Sequence, residues 1–153
     1  MDWNSFQGIL LEKHGNHHRL MPPCPLGCIQ FIDQRWGKLP PVLCSMYRLF
    51  NGAELYIDSM PMLTILGIPT DPPQPPLIWP GNCCIDYWLT LWRSGGNLGW
   101  PIARTNYDSL WIFHHETVRE WDRSIGDWAG EGRPLLDWTE QIIENGNKYL
   151  AGQ

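Results

Sequence analysis

Basic side chains are scarce in this chain of 153 residues: eleven Lys and Arg stand against sixteen Asp and Glu, a formal net charge of −5. A nucleic-acid binder needs basic density to displace counterions from phosphate, so the balance argues against that class and suits a basic partner instead. Also missing is any apolar run approaching the roughly 20 residues that a membrane helix needs. The opening, MDWNSFQGILLEKHG, carries an acid at its second position and mixed polarity where a secretory leader needs a basic start and a continuous apolar stretch. The expectation is a soluble cytoplasmic protein with no membrane partner. Cysteines number five, an odd count, and Cys83 and Cys84 are adjacent, which does not suit an extracellular disulfide framework. Reduced thiols in a cytosol fit better. No internal repeat and no low-complexity tail is present.

What the chain does have is enough length for one domain with its own core, and ten tryptophans. Ten are hard to bury in a domain of this size, and exposed tryptophan is a common anchor at protein interfaces. Trp3, Phe6 and Leu10 follow a helical period and predict a first helix ending near Lys13. HGNHHRLMPP reads as a loop. In CPLGCIQFIDQRWG a proline opens a second helix, Cys28 or Ile29, Ile32 and Trp36 share its face, and Gly37 follows where a cap is expected. A third begins at Pro41, buries Leu43, Met46 or Tyr47, and Phe50, and stops at Asn51-Gly52 by a left-handed turn.

AELYI and MLTILGI then predict two strands. PTDPPQPPLIWPG carries too many prolines for a helix or a central strand and reads as an extended excursion. CCIDYWLTLWR alternates, with Cys83, Ile85, Tyr87, Leu89 and Leu91 on one face and Cys84, Asp86, Trp88, Thr90 and Trp92 on the other, which predicts a strand with a mixed polar and tryptophan outer face. RSGGNLGWPIAR reads as a glycine turn into a further strand, and SLWIFHH and TVREW as two more. After the loose SIGDWAGEGRP, the spacing of Leu135, Trp138 and Ile142 predicts a closing helix to about Tyr149, with Gly146 a candidate break. Helices first, then antiparallel strands, then a helix is an α+β order.

Catalytic and metal chemistry find little support. His14, His17, His18, Cys24 and Cys28 crowd one region, but zinc ligands usually pair across a tight knuckle, and here Pro25 opens a helix between them. No metal and no cofactor is expected. His114 and His115 are adjacent, so in a strand they face opposite ways, and no serine or cysteine nucleophile stands in a recognisable context. SGGNLG lacks the helix start and lysine of a phosphate loop. A tryptophan-rich glycan binder is disfavoured because no secretory leader is read. No enzyme is predicted and no catalytic residue is named.

The stretch CIQFIDQRWGKLPPVLCSMYRLFNGAELY, with Gly37, Leu39, Pro40, Tyr47, Asn51 and Gly52 at its marked positions, resembles the SUKH superfamily, the group of fungal cell-wall-assembly regulators and bacterial toxin-immunity proteins. LLDWTEQIIENGNKYL is similar to the family's closing helix, whereas the proline-rich excursion and CCIDYWLTLWRSGG depart from the pattern. The resemblance implies one domain over residues 1–153, a curved antiparallel sheet flanked by N-terminal helices and a C-terminal helix, and no catalytic residues. It further implies a cytoplasmic immunity protein that binds and neutralises a secreted toxin, such as a nuclease. The alternative it implies is an intracellular scaffold or regulatory domain without a toxin. Matched positions carry shape, so a basic toxin domain would meet variable surface: Asp86, Trp88 and Trp92, with Trp100, Asp108, Trp111, Glu120 and Asp122.

Overall fold

The structure, a computed structural model, describes residues 1–57, 60–72, 82–87 and 98–152. Helix α1 spans Trp3–His14, and the Asp2 carboxylate starts it by accepting the Ser5 N–H at 2.8 Å. A single 3₁₀ turn, Gly15–His17, leads to β1, the two-residue strand Arg19–Leu20. Helices α2 (Leu26–Trp36) and α3 (Pro41–Leu49) follow. Each begins immediately after a proline in extended conformation, and Pro41 occupies the first helical position, where a missing N–H removes no intrahelical bond. The expected stripe of α3 is buried in full: Leu43, Met46, Tyr47 and Phe50 are all solvent-inaccessible.

The end of α3 differs in detail from a simple left-handed stop. Phe50 leaves the helix extended, at φ −151°, and the left-handed residue is Gly52, at φ +90°. A Cβ on Gly52 would stand 2.8 Å from the Ile65 carbonyl oxygen, so both the dihedral and the space demand glycine. Between them Asn51, fully buried, pairs with the backbone of Ile68. Its Nδ2 donates to the Ile68 carbonyl at 2.8 Å and its Oδ1 accepts the Ile68 N–H at 2.7 Å. Asn51 is thus a rivet between the end of α3 and the segment that leaves β3.

The sheet continues through β2 (Ala53–Ile57), β3 (Pro61–Ile65), β4 (Trp100–Thr105), β5 (Ser109–His114), β6 (Thr117–Asp122) and β7 (Asp127–Trp128), all antiparallel to their neighbours in chain order, with β8 (Arg133–Pro134) also on β6. The long closing helix α4 covers Leu135–Ala151. With helices segregated to the two ends of the chain and a curved, open, eight-stranded antiparallel sheet among the described residues, this is an α+β fold. The core lies between sheet and helices, where Trp3, Phe6, Leu10, Ile32, Tyr47, Phe50, Leu55, Trp100 and Trp138 join one buried cluster.

Several sequence expectations are corrected. Cys83 pairs with Gly67 as an isolated parallel bridge and not in a strand, and residues 85–87 form a helical turn with Asp86 and Tyr87 N–H groups bonded back to Cys83 and Cys84. The alternating pattern from Cys83 therefore does not begin a strand; the Asp86 carboxylate accepts the Cys83 N–H at 3.1 Å and favours the turn. The rest of that segment, with Trp88 and Trp92, lies outside the described residues, as do residues 73–81 of the proline-rich excursion. The loops HGNHHRLMPP and SIGDWAGEGRP contribute the short strands β1, β7 and β8. His114 and His115 do not point apart: His115 and Glu116 form the two-residue hairpin turn at φ +50° and +66°, and the imidazole rings meet at 3.9 Å. Helix α4 runs unbroken through Gly146.

Candidate functional site

The β5–β6 hairpin sets the register from which a cleft is built. Its antiparallel pairing puts Trp111 directly across from Glu120, so the two side chains share one face. Helix α4 crosses that face and contributes Trp138, Gln141, Ile142 and Asn145, which follow the i, i+3, i+4, i+7 pattern of one helical side. Met62 and Leu63 from β3, Tyr107 from the β4–β5 turn and Arg133 from β8 complete an open cleft of about 440 Å³.

The chemistry of the cleft is acceptor-rich and aromatic. Glu120 Oε2 accepts from the Tyr107 hydroxyl at 2.9 Å and from the Ser109 hydroxyl through a short bond. Ser109 Oγ lies 2.9 Å from Thr105 Oγ1, which also accepts the Ser109 N–H at 3.1 Å. Tyr107 is 65% exposed as a residue, but its hydroxyl end sits against Glu120, and desolvation there, followed by the bond to Glu120 and its charge, raises the phenol pKa. The Arg133 guanidinium lies over the Trp111 ring at 5.8 Å, and Trp111 in turn leans on Trp138 at a centroid distance of 6.0 Å. Among the described residues that line this cleft there is no histidine or cysteine.

Of the six sequence candidates among the described residues, the structure therefore brings together Trp111 and Glu120. Asp108 is exposed at φ +65° and pairs with Arg123 at 3.2 Å. Asp86, also exposed, approaches the same neighbourhood. Burial raises the Tyr87 pKa, Arg104 and Arg123 oppose it, and Asp86 and Asp108 add to it, while the Arg123 guanidinium covers the Tyr87 ring at 5.2 Å. Asp122 is engaged locally: it accepts from Ser124 N–H and Oγ, and the hydroxyl bond, with the backbone bonds after it, lowers the carboxyl pKa. Trp100 is a core residue, 6% exposed, with its indole N–H donated to the Tyr47 hydroxyl at 3.1 Å. Placing it among interface anchors is corrected on that ground.

Sequence reading missed Tyr107, Arg133, Gln141 and Asn145. Gln141 and Asn145 had a signal, since they fall three and seven residues beyond Trp138 on one helical side. Arg133 and Tyr107 had none, because each reaches the cleft only through the sheet's tertiary register.

The three buried cysteines, Cys24, Cys83 and Cys84, are held as neutral thiols. Burial, then Cys28, pushes the Cys24 thiol up to about 12, and burial, then Asp86, pushes Cys83 to about 11. Burial and the neighbouring Cys83 raise Cys84 as well. We expect maleimide or iodoacetamide at neutral pH to label the half-buried Cys28 and Cys44 in the native protein, and Cys24, Cys83 and Cys84 only after unfolding. Mass spectrometry of the labelled peptides reads this directly. The linkage has a definite sign. A thiol titrates from 9.0 when exposed and from about 12 for Cys24 in the fold, so the stability gained by keeping it neutral is complete below about pH 9. That stability is lost as pH rises toward 12.

Among the described residues no group of three or more His, Cys, Asp and Glu is placed to hold a metal ion, and no helix is long and apolar enough to cross a membrane. His18 Nδ1, one of the residues weighed for zinc, accepts the Tyr56 N–H at 3.2 Å. No protein-family model, curated protein or solved structure matches the chain.

Proposed function

We propose that this chain is a non-catalytic, SUKH-like immunity protein of the cytoplasm that binds and neutralises a secreted toxin bearing a basic domain. One observation carries the reading: Trp111, Tyr107 and Glu120 converge in an open cleft on the acidic part of the molecule. Residues 98–152 hold nine Asp and Glu against five Lys and Arg, whereas residues 1–57 hold four against five. On α4, Asp137, Glu140 and Glu144 are exposed and Lys148 is the single base of the helix. An aromatic anchor site within an acidic field fits a partner with a positive surface, such as the substrate groove of a nuclease. The acidic field would steer encounter and the aromatics would hold the complex.

Affinity purification of the tagged chain from its native cells, eluted over a salt gradient and read by mass spectrometry, tests this. A stoichiometric partner with a basic toxin domain, released by salt, supports it. Several host enzymes or assembly proteins with no toxin among them would retire neutralisation in favour of the regulatory-scaffold alternative. Against such a partner, Trp111→Ala should weaken binding by about 2 kcal/mol or more, roughly thirtyfold in Kd. Calorimetry on a variant with an unchanged unfolding midpoint checks it, and undiminished affinity would remove the cleft from the interface.

A further inference from the structure

We infer that the cleft is a socket for one peptide segment of the partner, with an apolar side chain entering between Trp111 and Ile142 and its adjoining peptide group bridging Arg133 and Gln141. This deepens the protein-binding reading and rests on it for the source of the peptide.

The first support is polar. Arg133 Nε and Gln141 Oε1 are both shut off from solvent, and neither has a hydrogen-bond partner among the described residues. Both residues line the same cleft. Unmade hydrogen bonds of buried atoms are costly, and both side chains are only half-buried, so each gains a bond by turning this atom toward a segment that enters the cleft. Their chemistry narrows what enters. Arg133 Nε–H can only donate, and Gln141 Oε1 can only accept. A carboxylate would satisfy the first alone, and an ammonium the second alone. A peptide group supplies both, its carbonyl to Arg133 and its N–H to Gln141.

The second support is electrostatic. Among the described residues Arg133 belongs to none of the ion pairs, which join Met1 to Glu140, Arg19 to Glu54, Arg123 to Asp108 and Lys148 to Glu144. Glu120 Oε2 is already taken by the Tyr107 and Ser109 hydroxyls. The positive charge of a partner is thus read outside the cleft, by exposed Asp137, which belongs to none of those pairs, and by Glu140 and Glu144 in exchange for their own surface partners, while the cleft itself selects a neutral segment. The third support is apolar. Met62, Leu63, Trp111, Trp138 and Ile142 wall a space of about 440 Å³, within the range of sites that enclose small ligands and ample for one aliphatic side chain with its flanking amides.

The test is a titration of the full ¹⁵N-labelled chain with N-acetyl-leucinamide, followed at the Trp111 indole N–H, the Arg133 Nε–H and the Gln141 side-chain amide. N-acetyl-leucine, which replaces the terminal amide by a carboxylate, is the comparison. We expect saturable millimolar binding at these three groups, with the amide bound at least about fivefold more tightly than the acid. Arg133→Met and Gln141→Met should each weaken it about tenfold, the worth of one buried hydrogen bond. Because its Oε1 is unpaired in the free protein, Gln141→Met should keep the wild-type unfolding midpoint; Arg133→Met also gives up the contact with the Trp111 ring, so its affinity is compared on a sample whose ¹⁵N spectrum shows it folded. Shifts that never saturate, Met variants that bind as wild type does, or tighter binding of the acid would each overturn the proposal; the last would mean that Gln141 presents its NH₂ group. Failure of the parent reading shows separately, as a purification that returns no protein partner while the fragment still binds.

Discussion

Gly146→Ala should collapse the stability of this domain, although the same exchange in an exposed helix interior stabilises by about 1 kcal/mol. Gly146 sits in the middle of α4 and is buried, and a Cβ built there falls well inside the van der Waals envelope of Tyr56 Cζ and Oη. Tyr56 cannot easily yield. It is fully buried, its backbone is held in β2 at φ +53°, its N–H is tied to His18 Nδ1, and its ring is flanked by His18 at 4.6 Å and Tyr149 at 6.4 Å. Overpacking of a tight core costs about 1–3 kcal/mol and rises where neighbours are locked, so we expect a loss of about 3 kcal/mol or more. Urea denaturation measures it. Tyr56→Leu supplies the control: it opens a cavity and is itself destabilising, but in that background Gly146→Ala should become nearly neutral. A neutral Gly146→Ala in the wild-type background would refute the contact.

Asn51→Ala carries the second large effect. It strips both hydrogen bonds from the Ile68 backbone, whose N–H and C=O then stay buried without a partner, since Ile68 is fully inaccessible. Each such orphan costs about 1–3 kcal/mol, which puts the loss near 3 kcal/mol in total. Asn51→Asp separates the two bonds. The carboxylate still accepts from the Ile68 N–H but faces the Ile68 carbonyl with a negative charge, whereas a protonated acid would donate to it. The introduced group therefore has a folded-state pKa raised above that of an exposed aspartate, near 4. The gap between variant and wild type should be smallest below that pH and widen as pH rises. Denaturation midpoints of both proteins from pH 3 to 8 check the sign, and a gap independent of pH would show that the carboxylate escapes to water.

Those two residues also mark what was legible without coordinates. Asn51-Gly52 stands out as a helix stop because Leu43, Met46, Tyr47 and Phe50 run at the helical period up to it, and the structure ends α3 there. What the motif cannot announce is the seventeen-residue reach from Asn51 to Ile68. Gly146 reads as a break because glycine is a poor helix former. Its role comes instead from a phenol ninety residues away in the chain, on a different element.

The candidate site divides the same way. Trp111 and Glu120 were among the variable-surface residues named from the sequence, but Trp100, named with them, is core, and its indole reaches Tyr47. Alternation failed over residues 83–87, where Cys83 and Asp86 close a capped turn within three residues. Local hydrogen bonding can override a period-two pattern, and short apolar runs do not distinguish the two states.

The sequence by itself determined the helices, the strands of the β4–β6 meander, the α+β order and the acidic balance, because each depends on residues near one another or on composition alone. Only the tertiary structure decided that Arg133, Gln141, Trp111 and Glu120 meet. They come from a two-residue strand, a helix and two paired strands, and their proximity is set by sheet register and helix docking. Such contacts are made by burial of the surrounding core, a non-directional force that leaves little trace in the spacing of the residues it brings together.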